Sequence, residues 1–197
     1  MDIIKELFQI GAVKFGSFTL KNGMVSPFYI DLRLSVSYPK ILVALAEAIH
    51  AKAKSFSFDL LCGVPYAALP FATAISIHHN IPMILLRKEK KEYGTKKRIE
   101  GVFHPNQHCL LIEDVVTTGQ SIFETKEALE AEGLKVTDAF VLVDREQGGA
   151  KNLSQKGVRL HSVFTVSSLV NHLESIGKID TSTKSLVLEF IKTHRGP

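Results

Sequence analysis

Two adjacent carboxylates, Glu113 and Asp114, precede a loop of small and hydroxyl-bearing residues in the stretch CLLIEDVVTTGQS. Carboxylates accept hydrogen bonds from hydroxyl groups, and they can also face a metal ion or a carbon that becomes positive. They repel a phosphate, yet the residues that follow them are of the types that bind one. The stretch therefore predicts a ligand that carries both hydroxyl groups and an anionic group.

The loop at residues 115–121 has the composition of a phosphate site. Backbone N–H groups at the start of a helix bind anions, and a helix is predicted to begin near Ser121. Thr117 and Thr118 would add hydroxyl donors, and Gly119 would let the backbone approach closely. The loop lacks the lysine of a nucleotide P-loop and the spaced glycines of a dinucleotide site, which argues against both.

A ribose 5-phosphate satisfies both parts of this pattern. Its phosphate would lie on the loop, and its 2′ and 3′ hydroxyls would bind Glu113 and Asp114. The structural alternative is a pair of strand-end acids that face solvent beside an ordinary helix cap. The combination of hydroxyls and a glycine after the acids favours the ligand.

The elements around this stretch predict an α/β fold. Continuous apolar runs typical of buried strands alternate with helical periodicity, which indicates a mainly parallel twisted sheet with helices on both faces. Ligands bind such sheets beyond the carboxyl ends of the strands. Residues 15–33 read as two β segments around an Asn-Gly turn, a small hood. Strands are predicted at 58–64, 81–87, 108–115, 135–145 and 157–166, and helices at 39–54, 67–79, 121–133 and twice near the C-terminus, the last capped by Asp180 or Thr181.

The composition is that of an ordinary globular chain. Its 197 residues, of which 45% are hydrophobic, suit one domain with a substantial core. The net charge of +4 suits either a nucleic-acid binder or an enzyme for small polyanions. The two cysteines, Cys62 and Cys109, are predicted to be buried free thiols. Neither a signal peptide nor an apolar run of about 18 residues is present, so we expect a cytoplasmic location and no membrane.

Three further loops follow predicted strands. Residues 87–98 hold seven basic side chains and two acidic ones, which indicates either a solvated helix or a flexible lid that brings cations to a pyrophosphate. Gly94, together with the position after a buried strand, favours the lid. Residues 62–70 allow either a close backbone approach to a diphosphate or a plain tight turn. Arg145 would bind a substrate carboxylate, or else would pair with a neighbouring acid.

The stretch from Cys109 to Ser121 resembles the phosphoribosyl-pyrophosphate (PRPP) motif of the type I phosphoribosyltransferases. The segments SPFYIDLR, CGVPYAALP, EYGTKKRIEG and LVDREQGG narrow the resemblance to the orotate phosphoribosyltransferases, especially the transferase half of eukaryotic uridine monophosphate synthases. The likeness covers nearly the whole chain. It implies transfer of phosphoribosyl from PRPP to orotate in UMP biosynthesis, with Mg²⁺ held mainly by substrate and water and not by protein ligands.

The resemblance also implies individual roles, with catalysis by Lys88, Lys91, Glu113 and Asp114. The residues implied to bind PRPP are Lys21, Tyr66, Ala67, Arg87, Lys88, Lys91, Tyr93, Glu113, Asp114, Val115, Val116, Thr117, Thr118, Gly119, Gln120 and Ser121. The residues implied to bind orotate are Lys21, Tyr29, Ile30, Thr117 and Arg145. Tyr93 stands where bacterial members commonly have histidine, so no role that needs an imidazole is assigned there.

A homodimer is implied as well, with Arg87, Lys91 and Tyr93 reaching the neighbouring subunit's site while Lys88 serves its own. We expect a single domain over residues 1–197, with a hood at about 1–35 joined by the C-terminal helices and a core at about 36–165. No decarboxylase domain is expected, and a separate orotidine monophosphate decarboxylase is a candidate partner. No nucleic-acid partner is expected.

Two other functions compete with this interpretation. A purine or uracil phosphoribosyltransferase would share the PRPP loop, but Arg145 and Tyr29 favour a base with a carboxylate. A non-catalytic PRPP sensor could dispense with the lid lysines, which this chain keeps. The eight histidines are scattered without the spacing of metal ligands, so we predict no protein-bound zinc.

Overall fold

The computed structural model describes residues 1–20, 23–87 and 98–195. The strands are β1 (Val13–Thr19), β2 (Val25–Ile30), β3 (Leu60–Gly63), β4 (Met83–Leu86), β5 (Ile99–Glu100), β6 (Cys109–Val116), β7 (Asp138–Asp144) and β8 (Arg159–Thr165). The helices are α1 (Ile3–Gln9), α2 (Pro39–Ala53), α3 (Leu69–His79), α4 (Gln120–Glu130), α5 (Gly149–Gln155), α6 (Val166–Ser175) and α7 (Thr181–Thr193), with a 3-10 helix at Leu32–Ser37.

The central sheet has six strands in the order β5-β4-β3-β6-β7-β8. All neighbouring pairs are parallel except β4 and β5, which pair antiparallel. The chain moves outward from β3 to β4 and then returns to the other side of β3 with β6. That reversal is a topological switch point, and crevices at such points bind ligands at the carboxyl ends of the strands. The prediction of a mainly parallel α/β sheet is confirmed.

Helices cover both faces of the sheet and divide its apolar side chains into two clusters. Leu110 and Ile112 of β6 belong to the cluster formed with α1, α2, α3, α6 and α7. Cys109 and Leu111 belong to the cluster formed with α4 and α5. Because side chains alternate along a strand, Glu113 is directed to the face that α4 covers. The strand therefore directs Glu113, and not Asp114, towards the apolar cluster that contains α4 and α5.

The hood is the antiparallel pair of β1 and β2, with Val13 opposite Ile30. It packs on the C-terminal helix α7, where the rings of Phe28 and Phe190 meet edge to face at 5.9 Å. Phe28 is fully buried and shares one apolar cluster with the core helices. Hood and core are thus packed as a continuous unit, and the division of residues 1–197 into these parts stays a prediction.

The segment after β4 was predicted as a charged loop over residues 88–101, but its far end forms a short strand. Ile99 and Glu100 form the edge strand β5, and the N–H of Arg87 donates to the carbonyl of Arg98 at 2.9 Å. Residues 88–97 lie outside the described part of the chain. Two hydrogen-bonded positions therefore bracket them at the edge of the sheet.

Several smaller predictions can also be compared with the structure. Asp180 caps α7 by accepting from the N–H of Thr183 at 2.8 Å, as expected. Cys62 and Cys109 are buried free thiols, as predicted. The helix α5 was not predicted. None of the helices in the described ranges is both long and apolar enough to cross a membrane.

Candidate active site

Three loops meet where β3, β6 and β7 end. Gly63 of β3 pairs with Ile112 of β6, and Val116 of β6 pairs with Asp144 of β7. The loop after β3 carries Tyr66 and Ala67, the loop after β6 carries the threonines, and the loop after β7 begins at Arg145. Residues that are far apart in the sequence are therefore neighbours at this edge.

The acid pair lies inside β6 and not at its end, because the strand continues to Val116. Glu113 is 5% exposed, and both of its carboxylate oxygens accept hydrogen bonds. The N–H of Asp114 donates to Oε1 at 3.0 Å, and the hydroxyl of Ser121 donates to Oε2 at 2.8 Å. Burial and the adjacent Asp114 carboxylate raise the pKa of Glu113 well above its ordinary value. Ser121, predicted as a phosphate donor, thus holds Glu113 in this structure.

Asp114 is only partly buried, so its carboxylate is the more accessible of the two. The end of the hood lies near it. Asp31 of the hood forms a bidentate pair with Arg33, with Nε–Oδ1 and Nη2–Oδ2 distances of 2.6 and 2.8 Å. This pairing raises the pKa of Arg33, and the charges of Tyr29 and Asp114 add to the effect. The hood thus brings the predicted orotate contact Tyr29 and the carboxylate of Asp114 towards one cation, Arg33.

The loop between β6 and α4 is open to an anion. Gly119 is the N-cap of α4 with φ 83°, and no side chain caps the helix there. The first N–H groups of a helix have no partner inside it, so they are available to a ligand. Thr117, Thr118 and Gln120 are exposed around them. The predicted phosphate site therefore has the backbone and hydroxyl donors that a phosphate needs.

The helix α5, which was not predicted, packs against the loop between β6 and α4. A Cβ on Gly119 would lie 2.7 Å from Cγ of Leu153, and one on Gly149 would lie 2.9 Å from Cγ2 of Val116. The side-chain amide of Asn152 donates to the carbonyl of Thr118 at 3.1 Å. These glycines allow α5 to approach so closely that the loop rests on it.

Arg145 is a buried cation whose hydrogen bonds are incomplete. It is 8% exposed, its Nε donates to Oε1 of Gln147 at 2.9 Å, and its guanidinium lies 4.8 Å from the ring centre of Phe28. Nη2 is buried and has no hydrogen-bond partner within the described ranges. Burial lowers the pKa of Arg145, as expected for a cation removed from water.

The alternative of an ion pair with a neighbouring acid is not supported, because both acids bind backbone N–H groups. Asp144 accepts from the N–H of Glu146, and Glu146 accepts from the N–H of Ser167, each at 2.7 Å. No salt bridge of Arg145 is found in the described part of the chain. Sequence reasoning missed Gln147, whose only signal was its place two residues after the arginine.

The loop after β3 turns tightly into α3. A Cβ on Gly63 would lie 3.1 Å from the carbonyl group of Ala68, so the backbone closes directly over the end of β3. The peptide bond between Pro65 and Tyr66 is cis, and Tyr66 is 59% exposed. The loop is therefore a tight turn, and its backbone lies close to the carboxyl end of β3.

Some of the cations that were predicted to bind the substrates lie within the described residues, and others do not. Arg87 forms an ion pair with Glu100, with Nη2 and Oε1 2.5 Å apart. The predicted residues Lys21, Lys88, Lys91 and Tyr93 lie outside the described residues. Arg98, which was not predicted, lines a cleft of about 410 Å³ beside Ser121 and has a buried Nε without a hydrogen-bond partner in the described ranges.

Comparisons with known proteins give a family match and several similar proteins. Residues 38–166 match the phosphoribosyl transferase domain family. The chain is 52% identical over 192 residues to the uridine 5′-monophosphate synthase of Bos taurus, covering 96% of this chain and 40% of that protein. It is 42% identical to the orotate phosphoribosyltransferase of Chlamydia caviae, covering 96% of this chain and 93% of that protein. The chain therefore spans about two fifths of the synthase but nearly all of the Chlamydia protein.

Solved structures give the same picture. UMP synthase of Leishmania donovani superposes with a TM-score of 0.89 at 35% identity, covering 98% of this chain and 42% of that one. Orotate phosphoribosyltransferase of Aeropyrum pernix gives 0.75 at 29% identity, covering 89% and 99%. The Mycobacterium tuberculosis enzyme in complex with PRPP gives 0.70 at 25% identity, covering 85% and 96%.

Proposed function

Because this chain belongs to the phosphoribosyltransferases, and within them to the orotate phosphoribosyltransferases, we propose that it transfers 5-phosphoribosyl from PRPP to N1 of orotate. The products would be orotidine 5′-monophosphate and pyrophosphate, in the de novo synthesis of UMP. The proposal concerns this transfer alone, because the chain spans 40% of the Bos taurus synthase.

The observation that carries the choice of base is the incompletely bonded guanidinium of Arg145. A carboxylate bound there would supply the acceptor that Nη2 lacks and would form a charge-assisted pair in a buried setting. Orotate has such a carboxylate, whereas uracil and the purine bases have none. Lys21, Tyr29, Ile30 and Thr117 complete the proposed contacts to the base.

The ribose 5-phosphate would lie across the end of β6. Its phosphate would bind the uncapped start of α4 and the hydroxyls of Thr117 and Thr118. Its 2′ and 3′ hydroxyls would bind Asp114, with Glu113 beside it. Because both Glu113 oxygens already accept hydrogen bonds, a ribose hydroxyl would have to share or replace the bond from Ser121.

The transfer exchanges one bond at C1′ of the ribose for another. The bond from C1′ to pyrophosphate oxygen breaks with its electron pair leaving on the oxygen, and N1 of orotate donates the pair of the new bond and loses its proton. Positive charge builds on the ribose ring, which Asp114 would stabilise. Negative charge builds on pyrophosphate, which Lys88 and Lys91 would offset. The roles of both lysines rest on the sequence pattern alone.

The residues at this edge are compatible with Mg²⁺, which prefers oxygen ligands. The carboxylate of Asp114 and the hydroxyls of Thr117 and Thr118 are such donors. Substrate oxygens and water would hold most of the ion, with these side chains nearby. When bound, the ion would neutralise charge on the pyrophosphate.

The proposed assembly is a homodimer with shared sites in the cytoplasm. Arg87, Lys91 and Tyr93 would enter the neighbouring subunit's site, while Lys88 would serve its own. For Arg87 this requires the ion pair with Glu100 to be exchanged for phosphate oxygens. The unpaired buried thiols support the cytoplasmic location. A separate orotidine monophosphate decarboxylase remains a candidate partner.

One assay tests the proposal against its two rivals. The purified chain is mixed with PRPP, Mg²⁺ and orotate, and the loss of orotate absorbance is followed, with parallel reactions that contain uracil or adenine. We expect orotate alone to be consumed. Consumption of uracil or adenine in its place would indicate another base specificity, and PRPP binding without turnover of any base would indicate a sensor.

A further inference from the structure

A glutamate and three histidines lie together on helices α2 and α3, away from the active site. Glu47 and His50 are three residues apart on α2, so they share one face of that helix. His78 and His79 occupy the last turn of α3. The helix α3 starts at the site edge after β3 and runs for 11 residues, about 16 Å, before the chain enters β4. The cluster is therefore at the opposite edge of the sheet.

The side chains of this cluster are in direct contact. Oε1 of Glu47 lies 2.9 Å from Nε2 of His79 and 3.4 Å from Nδ1 of His78. The ring of His50 stacks on the ring of His79 at a centroid distance of 3.4 Å. One potential ligand atom each from Glu47, His50 and His79 falls within 4.8 Å of the other two.

The chemistry and position of these groups favour a cation. Imidazole nitrogen with carboxylate oxygen is a donor set that zinc and its first-row neighbours prefer, whereas Mg²⁺ prefers oxygen alone. The carboxyl-terminal carbonyls of α3 add partial negative charge close to His78 and His79. The Glu47 and His79 side chains are 43% and 26% exposed, so an ion has access to the cluster from solvent.

We propose that Glu47, His50 and His79 form a binding site for a divalent transition metal, with zinc as the expected ion. Water, or the adjacent His78, would complete a tetrahedral set of ligands at about 2.0–2.2 Å. The bound ion would tie α2 to α3, two helices that cover the same face of the sheet. The sequence predicted no protein-bound zinc because the histidines show no metal-ligand spacing along the chain; His79 joins Glu47 and His50 only where α3 packs on α2.

The proposal predicts binding and stabilisation but no change in turnover. Because an ion that binds only the folded chain stabilises it, zinc should raise the melting temperature of the chelator-treated protein. Turnover with PRPP, orotate and Mg²⁺ should be the same for the wild type and for His79→Ala, because the cluster is remote from the site. The proposal of a metal site does not depend on the proposed function.

The test is a calorimetric titration of the metal-free, full chain with ZnCl₂, repeated with Co²⁺ to record the absorption spectrum of a tetrahedral site. The wild type is expected to bind about one ion per chain. His50→Ala and His79→Ala should each weaken binding by about 100-fold or more, and Glu47→Gln should weaken it while keeping the side-chain shape. The matched control His104→Ala removes an exposed histidine elsewhere and should bind like the wild type.

Asp114→Asn separates this site from the active site and should leave zinc binding unchanged. Circular dichroism and unchanged turnover show that the His50 and His79 variants are folded. Failure of the wild type to bind zinc, or equal binding by the wild type and the double variant of His50 and His79, would overturn the proposal. A loss of binding in Asp114→Asn would overturn it as well, because the ion would then belong to the active site.

Discussion

Glu113 and Arg145 are both buried ionisable residues at the same edge of the sheet, but their surroundings differ. Each carboxylate oxygen of Glu113 already accepts a hydrogen bond from its own chain. Arg145 has one bond, to Gln147, and leaves Nη2 without a partner in the described ranges. A buried polar group without a partner costs about 1–3 kcal/mol, so an arrangement of this kind points to a missing ligand. The hydrogen bonds of Glu113 are those of a framework residue, whereas the open Nη2 of Arg145 is the basis for the proposal that it binds substrate.

The largest effect is expected from removal of the Arg145 side chain. Arg145→Ala should lower kcat/KM for orotate by about 10³-fold, because the loss of one partner from a buried charge pair costs roughly 4 kcal/mol. PRPP affinity should change little, since the phosphate site lies on another loop. Steady-state kinetics and calorimetric titration with PRPP measure the two effects. Arg159→Ala, a cation paired with Asp138 at the far end of β7, is the control.

Lys91→Ala extends the comparison to a cation that only the sequence assigns to the ligand. It should lower kcat by about 10²-fold or more and alter PRPP binding less, as expected for a group that stabilises leaving-group charge. Steady-state kinetics measure both. Unchanged turnover would remove Lys91 from the mechanism.

Mixing two inactive variants tests whether that lysine acts across subunits. In an equal mixture of Lys91→Ala and Asp114→Asn chains, each mixed dimer would have one intact site, giving about a quarter of the wild-type activity. Activity no greater than the sum of the separate variants would place Lys91 in the site of its own subunit.

Gln147 should have a smaller effect, because it acts through Arg145. Gln147→Ala removes the acceptor for Nε and should raise KM for orotate by about tenfold, while kcat at saturating orotate stays within about twofold. Gln147→Glu should raise KM too, since its charge would compete with the orotate carboxylate for the guanidinium. An unchanged KM in both variants would show that Phe28 packing alone positions the arginine.

The smallest effect is expected at Glu113 and appears in stability. The folded pKa of Glu113 is raised above 4.5, its ordinary value, by burial and then by Asp114. The stability that its proton contributes is therefore complete below the ordinary pKa and is lost as pH rises through the folded pKa. Glu113→Gln should melt higher than the wild type above that range, by roughly 2–4 °C, the shift that about 1 kcal/mol produces in a chain of this size. Thermal melts across pH measure it, and a constant difference at all pH values would contradict it.

The sequence was sufficient for the parts of the molecule that depend on local pattern. Buried parallel strands, the helix after the threonines and the Asp180 cap all follow from residues close in the chain. The acids were predicted at the end of a strand, but β6 continues past them because Val115 and Val116 pair with β7. The helix α5 has 7 residues, too few for a clear apolar period.

The unpredicted parts of the sites depend on contacts between distant residues. Glu47 meets His79 across 32 positions, and Thr118 meets Asn152 across 34. Neither pair can be read from spacing, since packing of helices brings them together. Arg145 was predicted as a ligand residue, but only its burial and open Nη2 separate that role from an ordinary ion pair.

The hydrogen bond between Arg87 and Arg98 has a consequence for how this enzyme family can vary. This hydrogen bond joins the two ends of the intervening segment at the edge of the sheet, so a change in the length of the segment need not move the strands on either side. Doubling the length of a closed loop costs only about 0.6 kcal/mol. Changes of length between these two arginines, such as a grafted segment, are therefore expected to have little effect on whether the chain folds.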